Sequence, residues 1–167
     1  MLFRSCPDEN HKGTKYLHSE KFATPNGKGK LMPLTYKPSE ELPNKEYPLL
    51  LTTDRSLYHY HTSTMTGRVK GLRILNEEEL FKIHPADAKK YNLQDGEMVK
   101  VSSRRGEVKV KVSVTDICPS GVVSMTFHFF ETPTNELTNC AIDPIAKIPE
   151  TKVCAVKVEK VVDLQEV

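Results

Sequence analysis

No two of the four cysteines, Cys6, Cys118, Cys140 and Cys154, stand close enough in sequence to form a CxxC pair. A zinc or iron–sulfur site built from this chain alone is therefore not expected. Met1 to Pro7 holds no apolar core segment, so no secretory signal is read there and a disulfide framework is not expected either. The reading is of reduced, structural cysteines in a cytoplasmic protein. No apolar run approaches the roughly 18 residues that cross a bilayer, which excludes a membrane span. Charge of one sign is also lacking: 24 basic residues face 22 acidic ones, mixed along the chain, for a net charge of +2. That balance argues against nucleic acid as a partner, because phosphate backbones call for a concentrated basic face. No GxSxG elbow is present. Gly27-Lys28-Gly29-Lys30 lacks the spacing and the strand–helix setting of a phosphate loop.

What remains is an ordinary globular composition, 38% hydrophobic and 28% charged over 167 residues, enough for one self-sufficient core. Residues 1–46 stand apart. Pro7, Pro25, Pro33, Pro38 and Pro43 interrupt a stretch with few periodic apolar residues, which reads as an irregular extension, the tail of a preceding domain. Asn26-Gly27, between Phe22 and Leu31, is a candidate hairpin turn.

Order is expected from Tyr47 to Val161, with 162–167 as a tail. Pro48-Leu49-Leu50-Leu51-Thr52-Thr53 reads as a buried strand and Arg55 to Gly71 as a polar loop. Phe81 to His84 reads as a strand, followed by a short helix from Pro85 to Tyr91 with proline in its first turn. Asn92 and Gln94-Asp95-Gly96 stop it. Met98, Val99 and Val101, then Val108, Val110, Val112 and Val114 with polar residues between, predict a β-hairpin with one wet face. Val122 to Phe127 and Lys152 to Val161 are further strands, separated by a long loop from His128 to Ile148. Strands dominate, and a small closed barrel is the natural way to remove their edges.

Three loops carry polar residues that a packed core does not demand. Thr52 to Thr66 is dense in hydroxyls, with His59, His61 and Arg55, and suits a phosphate-bearing or hydrogen-bonding ligand. Composition alone leaves a plain polar surface loop equally open. A metal at His59 and His61 lacks a third ligand nearby, so no metal site is assigned. The second loop, Phe127-His128-Phe129-Phe130-Glu131 with Asn135 to Asn139, is either a pocket rim or a buried aromatic cluster. The third, Lys147 to Lys152, is by itself a solvated turn.

Taken together and in order, these blocks resemble a known family. YPLLLTTDRSLYHYHTSTMT resembles the opening of the carboxy-terminal, molybdopterin-dinucleotide-binding domain of molybdopterin oxidoreductases. GVVSMTFHFFETPTNELTN and DPIAKIPETKVCAVKVE are similar to the same domain in formate dehydrogenase catalytic subunits. IHPADAKKYNLQDGEMVKVSSRRGEVKVKVSVTD follows that family through its central helix and hairpin. The resemblance covers roughly residues 47–160, and CPDENHKGTKYLH with FATPNGKGKL extends it upstream.

The resemblance implies a mainly β (α+β) fold, a six-stranded double-psi β-barrel with short helices. It implies a cofactor, molybdopterin guanine dinucleotide, with molybdenum or tungsten carried by the whole enzyme. Thr53, Arg55, His59, His61, Thr62, Thr64 and Thr66 would hydrogen-bond dinucleotide phosphates and pterin edges, and Tyr58 and Met65 would pack on the rings. His128, Asn135, Thr138 and Lys152 would contact the cofactor from the other side. Asp54 departs from the family, which usually has glycine in this turn, and places a negative charge near the expected phosphates.

The metal's protein ligand, the iron–sulfur ligands and the formate-binding residues have no counterpart here, so no residue of this chain is catalytic. The implied partners are the remaining domains or subunits of a formate dehydrogenase with its iron–sulfur cluster, and the chain alone should not oxidise formate. A nitrate reductase fragment shares the LTN…DP…K…PE…K pattern. From another class, a standalone cofactor-binding or assembly module would use the same barrel.

Overall fold

The computed structural model describes residues 8–13 and 16–161; Cys6 and the expected tail 162–167 lie outside the described residues. The chain divides into two compact units, Met1–Lys37 and Pro38–Val167. In the first, the turn anticipated at Asn26-Gly27 forms: Gly27 donates to the Thr24 carbonyl at 3.0 Å and Phe22 to the Gly27 carbonyl at 2.9 Å. Among its described residues no strand flanks that turn.

The second unit is a closed barrel of six strands in the order β1-β5-β2-β4-β3-β6. These are β1 (Leu49–Thr53), β2 (Leu80–Ile83), β3 (Met98–Ser102), β4 (Glu107–Val114), β5 (Val122–Met125) and β6 (Cys154–Lys160). Two pairs are parallel, β1 with β5 and β2 with β4, and the rest antiparallel. This is the six-stranded double-psi barrel, mainly β with short helices. Alternation builds it: in β4, Val108, Val110 and Val112 are buried while Glu107 and Lys109 face water. The inward set, including Leu49, Leu51, Phe81, Ile83, Val99, Val101, Met125 and Val156, forms one apolar core. Truncating Phe81, fully buried at its centre, to alanine would cost about 3–5 kcal/mol.

A 3₁₀ turn at Thr66–Arg68 forms within Arg55–Gly71, the segment read as loop. Helix α1 (Lys70–Leu75) starts at the end of that segment and continues into residues given no element from the sequence. A six-residue helix is too short to show a period in the sequence. Helix α2 (Pro85–Lys90) starts as expected, with Pro85 at its first position and His84 as its cap, Nδ1 accepting from the Ala86 N–H at 3.2 Å. Its buried Asp87 accepts from Ser120 Oγ at 2.9 Å and the Gly121 N–H at 2.6 Å, fixing the turn into β5. Gly121 has φ +85°, which a side chain would strain.

The barrel unit begins ahead of Tyr47. Glu41 ties 38–46 to it, accepting from Arg105 Nη1 at 2.7 Å, Arg105 Nη2 at 2.9 Å and the Ala155 N–H of β6 at 2.6 Å. The Arg105 fork holds the Glu41 carboxyl below the usual carboxylate range.

Candidate functional site

Topology decides which loops meet. β1 and β5 are parallel, with Thr53 opposite Met125, so the loops that follow them leave the barrel at the same end. β2 and β6 run antiparallel to these strands, so Glu79 before β2 and Lys152 before β6 arrive at that end too. Asp54 continues the ladder by donating to the Met125 carbonyl at 2.9 Å.

Two buried histidines pin the first loop. Nε2 of His128 accepts from the Ser56 N–H at 2.8 Å, so the ring proton sits on Nδ1, which donates to the His61 carbonyl. His59 has the opposite tautomer: Nε2 donates to the Asn76 carbonyl at 2.8 Å, and Nδ1 accepts from Thr66 Oγ1 at 3.1 Å. Thr66 Oγ1 itself accepts from the Tyr60 N–H at 3.2 Å. The two imidazoles lie 5.9 Å apart. Burial lowers the pKa of His128, more than its bond to the His61 carbonyl raises it, so this imidazole is neutral at pH 7. Between these pins the backbone is left-handed at His61 (φ +47°) and Ser63 (φ +58°), uncommon for side-chain-bearing residues and typical of binding loops.

The pinned loop, α1 and the start of the second loop enclose a cavity of about 460 Å³. Its wall includes His59, Thr62, Ser63, Thr64, Arg68, Arg73, His128 and Phe129. Ser63 Oγ is buried there with no hydrogen-bond partner. Arg68 has no carboxylate partner among the described residues, whereas Arg73 pairs with Glu131 at 3.1 Å. A smaller cavity of about 160 Å³ adjoins it through Thr62, His128, Phe129 and Phe130, and adds Phe127, Thr134 and Asn135. Thr134, 1% exposed, leaves its hydroxyl unpartnered. The walls are mostly apolar, with a few hydroxyl and guanidinium groups among them, and suit a ligand with flat rings and a negatively charged part.

Of the expected residues, His59, Thr62, Thr64 and His128 line the main cavity and Asn135 the adjoining one. Both histidines spend their ring nitrogens on holding the loop. Thr53 and Lys152 engage each other's segments: Thr53 Oγ1 donates to the Thr151 carbonyl at 3.0 Å, and Lys152 Nζ to the Thr53 carbonyl. Thr138 donates to the Asn135 carbonyl at 2.9 Å. Arg55 lies over the Phe127 ring at 5.6 Å, and His61 packs edge-on against Tyr60 at 4.5 Å. Met65 is exposed, and Tyr58 lines a separate small cavity beside Glu79. Arg68 and Arg73 lie outside the three candidate loops, and Ser63 and Glu131, although inside them, carried no expected contact. A serine in a serine- and threonine-rich loop and scattered charges carry no distinguishing local signal.

Asp54 sits in ordinary backbone, not in the left-handed region. Lys82 of β2 neutralises it, Nζ to Oδ2 at 2.7 Å. Nearby, Glu79 is buried and accepts from the Thr126 N–H at 2.7 Å and the Thr126 hydroxyl, and burial raises its pKa. Among the described residues no three His, Cys, Asp or Glu side chains gather as a metal site.

Residues 49–155 match the family described as "Molydopterin dinucleotide binding domain". The chain belongs to that molybdopterin dinucleotide-binding family. It is 52% identical over 156 residues to the F420-dependent formate dehydrogenase subunit alpha of Methanocaldococcus jannaschii, covering 93% of this chain and 23% of that protein. It is 48% identical over 158 residues to the F420-dependent formate dehydrogenase 1 subunit alpha of Methanococcus maripaludis, covering 95% of this chain and 23% of the relative. The chain thus spans about a quarter of the length of these relatives, which are themselves named as subunits. Acetylene hydratase from Pelobacter acetylenicus shares the fold, with TM-score 0.59 at 18% identity, over 74% of this chain and 21% of that one. Among the described residues no helix is long and apolar enough to cross a membrane.

Proposed function

We propose that the barrel holds molybdopterin guanine dinucleotide within a formate dehydrogenase, and that the main cavity takes its phosphate-bearing part. The observation that carries this reading is Arg68, unpaired among the described residues, sharing a cavity wall with Thr62, Ser63 and Thr64. A guanidinium with unused donors facing a cavity is satisfied by an anion with several acceptor oxygens. Phe127, Phe129 and Phe130 supply faces for flat rings, and Asn135 supplies a polar edge.

In the whole enzyme, formate would be oxidised to carbon dioxide with release of two electrons and a proton. When bound, the metal–dithiolene group, carrying molybdenum or tungsten, supplies the electron acceptor. This chain binds and orients the cofactor: Arg68 and Arg73 hold negative charge, and His59 and His128 keep the loop in shape. The other domains or subunits, with an iron–sulfur cluster, would supply the metal's protein ligand and the formate site. The assembly would be cytoplasmic, and the chain by itself would not turn over formate.

Calorimetric titration of the chain with isolated molybdopterin guanine dinucleotide tests this. One-site, saturable binding, weakened about tenfold by Arg68→Gln through loss of a charge-assisted bond, is expected. Binding indifferent to Arg68, or no saturable binding, would overturn the assignment.

A further inference from the structure

Glu131 is the one carboxylate among the residues lining the main cavity, in a wall otherwise built of hydroxyls, imidazoles, aromatic rings and two guanidinium groups. Beside a phosphate it would repel the ligand. Its Oε1 instead accepts from Arg73 Nη2 at 3.1 Å, bridging the second loop to α1. Both side chains are about half exposed, 49% for Arg73 and 46% for Glu131. A pair so open to water is weak and exchangeable, whereas a guanidinium meeting a phosphate gains a stronger, forked set of bonds.

We infer that Glu131 is a charge gate: it occupies Arg73 as an internal competitor and yields it only to a ligand group of higher negative charge. This rests on reading the cavity as an anion site and adds a selectivity to it. Arg68 stands ready for a first phosphate. Arg73 is reached by a second one through displacement of Glu131, so the gate favours a diphosphate over a monophosphate or a neutral nucleoside. Removing the charge of Glu131 frees Arg73 for any anion, whereas removing Arg73 leaves Glu131 unpaired in the wall, facing the ligand.

The test uses the full chain and three probes, inorganic pyrophosphate, guanosine diphosphate and guanosine, with affinities read by calorimetry or NMR. Glu131→Gln should tighten both anions roughly two- to five-fold, the worth of one exposed ion pair, and leave guanosine unchanged. Arg73→Gln should weaken the anions, and adding Glu131→Gln to it should recover part of the loss. Both substitutions are at exposed positions and should leave the fold intact. If Arg68→Gln weakens the anions while Glu131→Gln leaves them unchanged, weakens them, or tightens guanosine equally, the gate is overturned and the anion site stands. If none of the three substitutions alters anion binding, the site reading falls and the gate with it.

Discussion

Ser56 donates its backbone N–H to Nε2 of His128 at 2.8 Å, and that bond dictates which ring nitrogen carries the proton. Protonating Nε2 would set two donors against each other and release the first loop. The folded-state pKa lies below the ordinary histidine value, chiefly through burial, with His59 and Arg55 also lowering it and the His61 carbonyl and Asp54 opposing. The stabilisation is therefore fully present above the unfolded value of about 6.5 and is lost as pH falls through it toward the folded pKa. Denaturant midpoints measured between about pH 7.5 and 5 should drop on acidification. The drop should be smaller in His128→Gln, and equal drops in the two proteins would contradict the pin. Glu79, whose folded pKa is raised, contributes in the opposite sense in both proteins and cancels from the difference.

Lys82 and Asp54 form the second testable relationship. Asp54 Oδ1 is buried without a partner, and Lys82 satisfies only Oδ2. Lys82→Met should cost about 1 kcal/mol after discounting for the partial exposure of the pair, and should weaken guanosine diphosphate binding by leaving an uncompensated charge at the loop. Adding Asp54→Asn should restore most of both losses. A double variant no better than Lys82→Met would show that the lysine acts otherwise than by neutralising Asp54.

The Glu41 carboxylate, whose side chain is 12% exposed, gathers the Arg105 fork and the Ala155 N–H. Arg105 in turn donates to the Leu137 carbonyl at 2.8 Å, below the turn that carries Asn135. Glu41→Ala removes an anion from beneath a partly buried guanidinium and should lower stability by about 2 kcal/mol. Hydrogen exchange should quicken at the amides of 134–139 as well as at Ala155. Loss of protection at Ala155 alone would mean that the pair does not reach the second loop.

The strands of the β3–β4 hairpin were legible because period-two alternation of valine with lysine is a local signal. Helix α2 was legible from Pro85 at its start. Helix α1 was not, since six residues complete less than two turns. The first loop announced itself by its hydroxyls and imidazoles, yet its meeting with the second depends on the parallel register of β1 with β5, a pairing between distant segments. Sequence could not separate the histidines' scaffold role from ligand contact, because that depends on which backbone groups face each ring nitrogen. Nor could it single out Arg68 and Arg73 from ordinary surface charges. Thr53 and Lys152 flank strand ends, where their polarity serves the barrel's own closure as readily as a ligand.

The central claim, that the two loops at one end of the barrel form an anion-binding cofactor site, is tested most directly by NMR titration of the chain with guanosine diphosphate. The predicted result is saturable shifts at amides from Thr62 to Arg73 and from Phe127 to Asn135, reduced by Arg68→Gln. Absence of shifts there, or shifts centred instead on the distinct cavity beside Arg104 and Cys140, would contradict it.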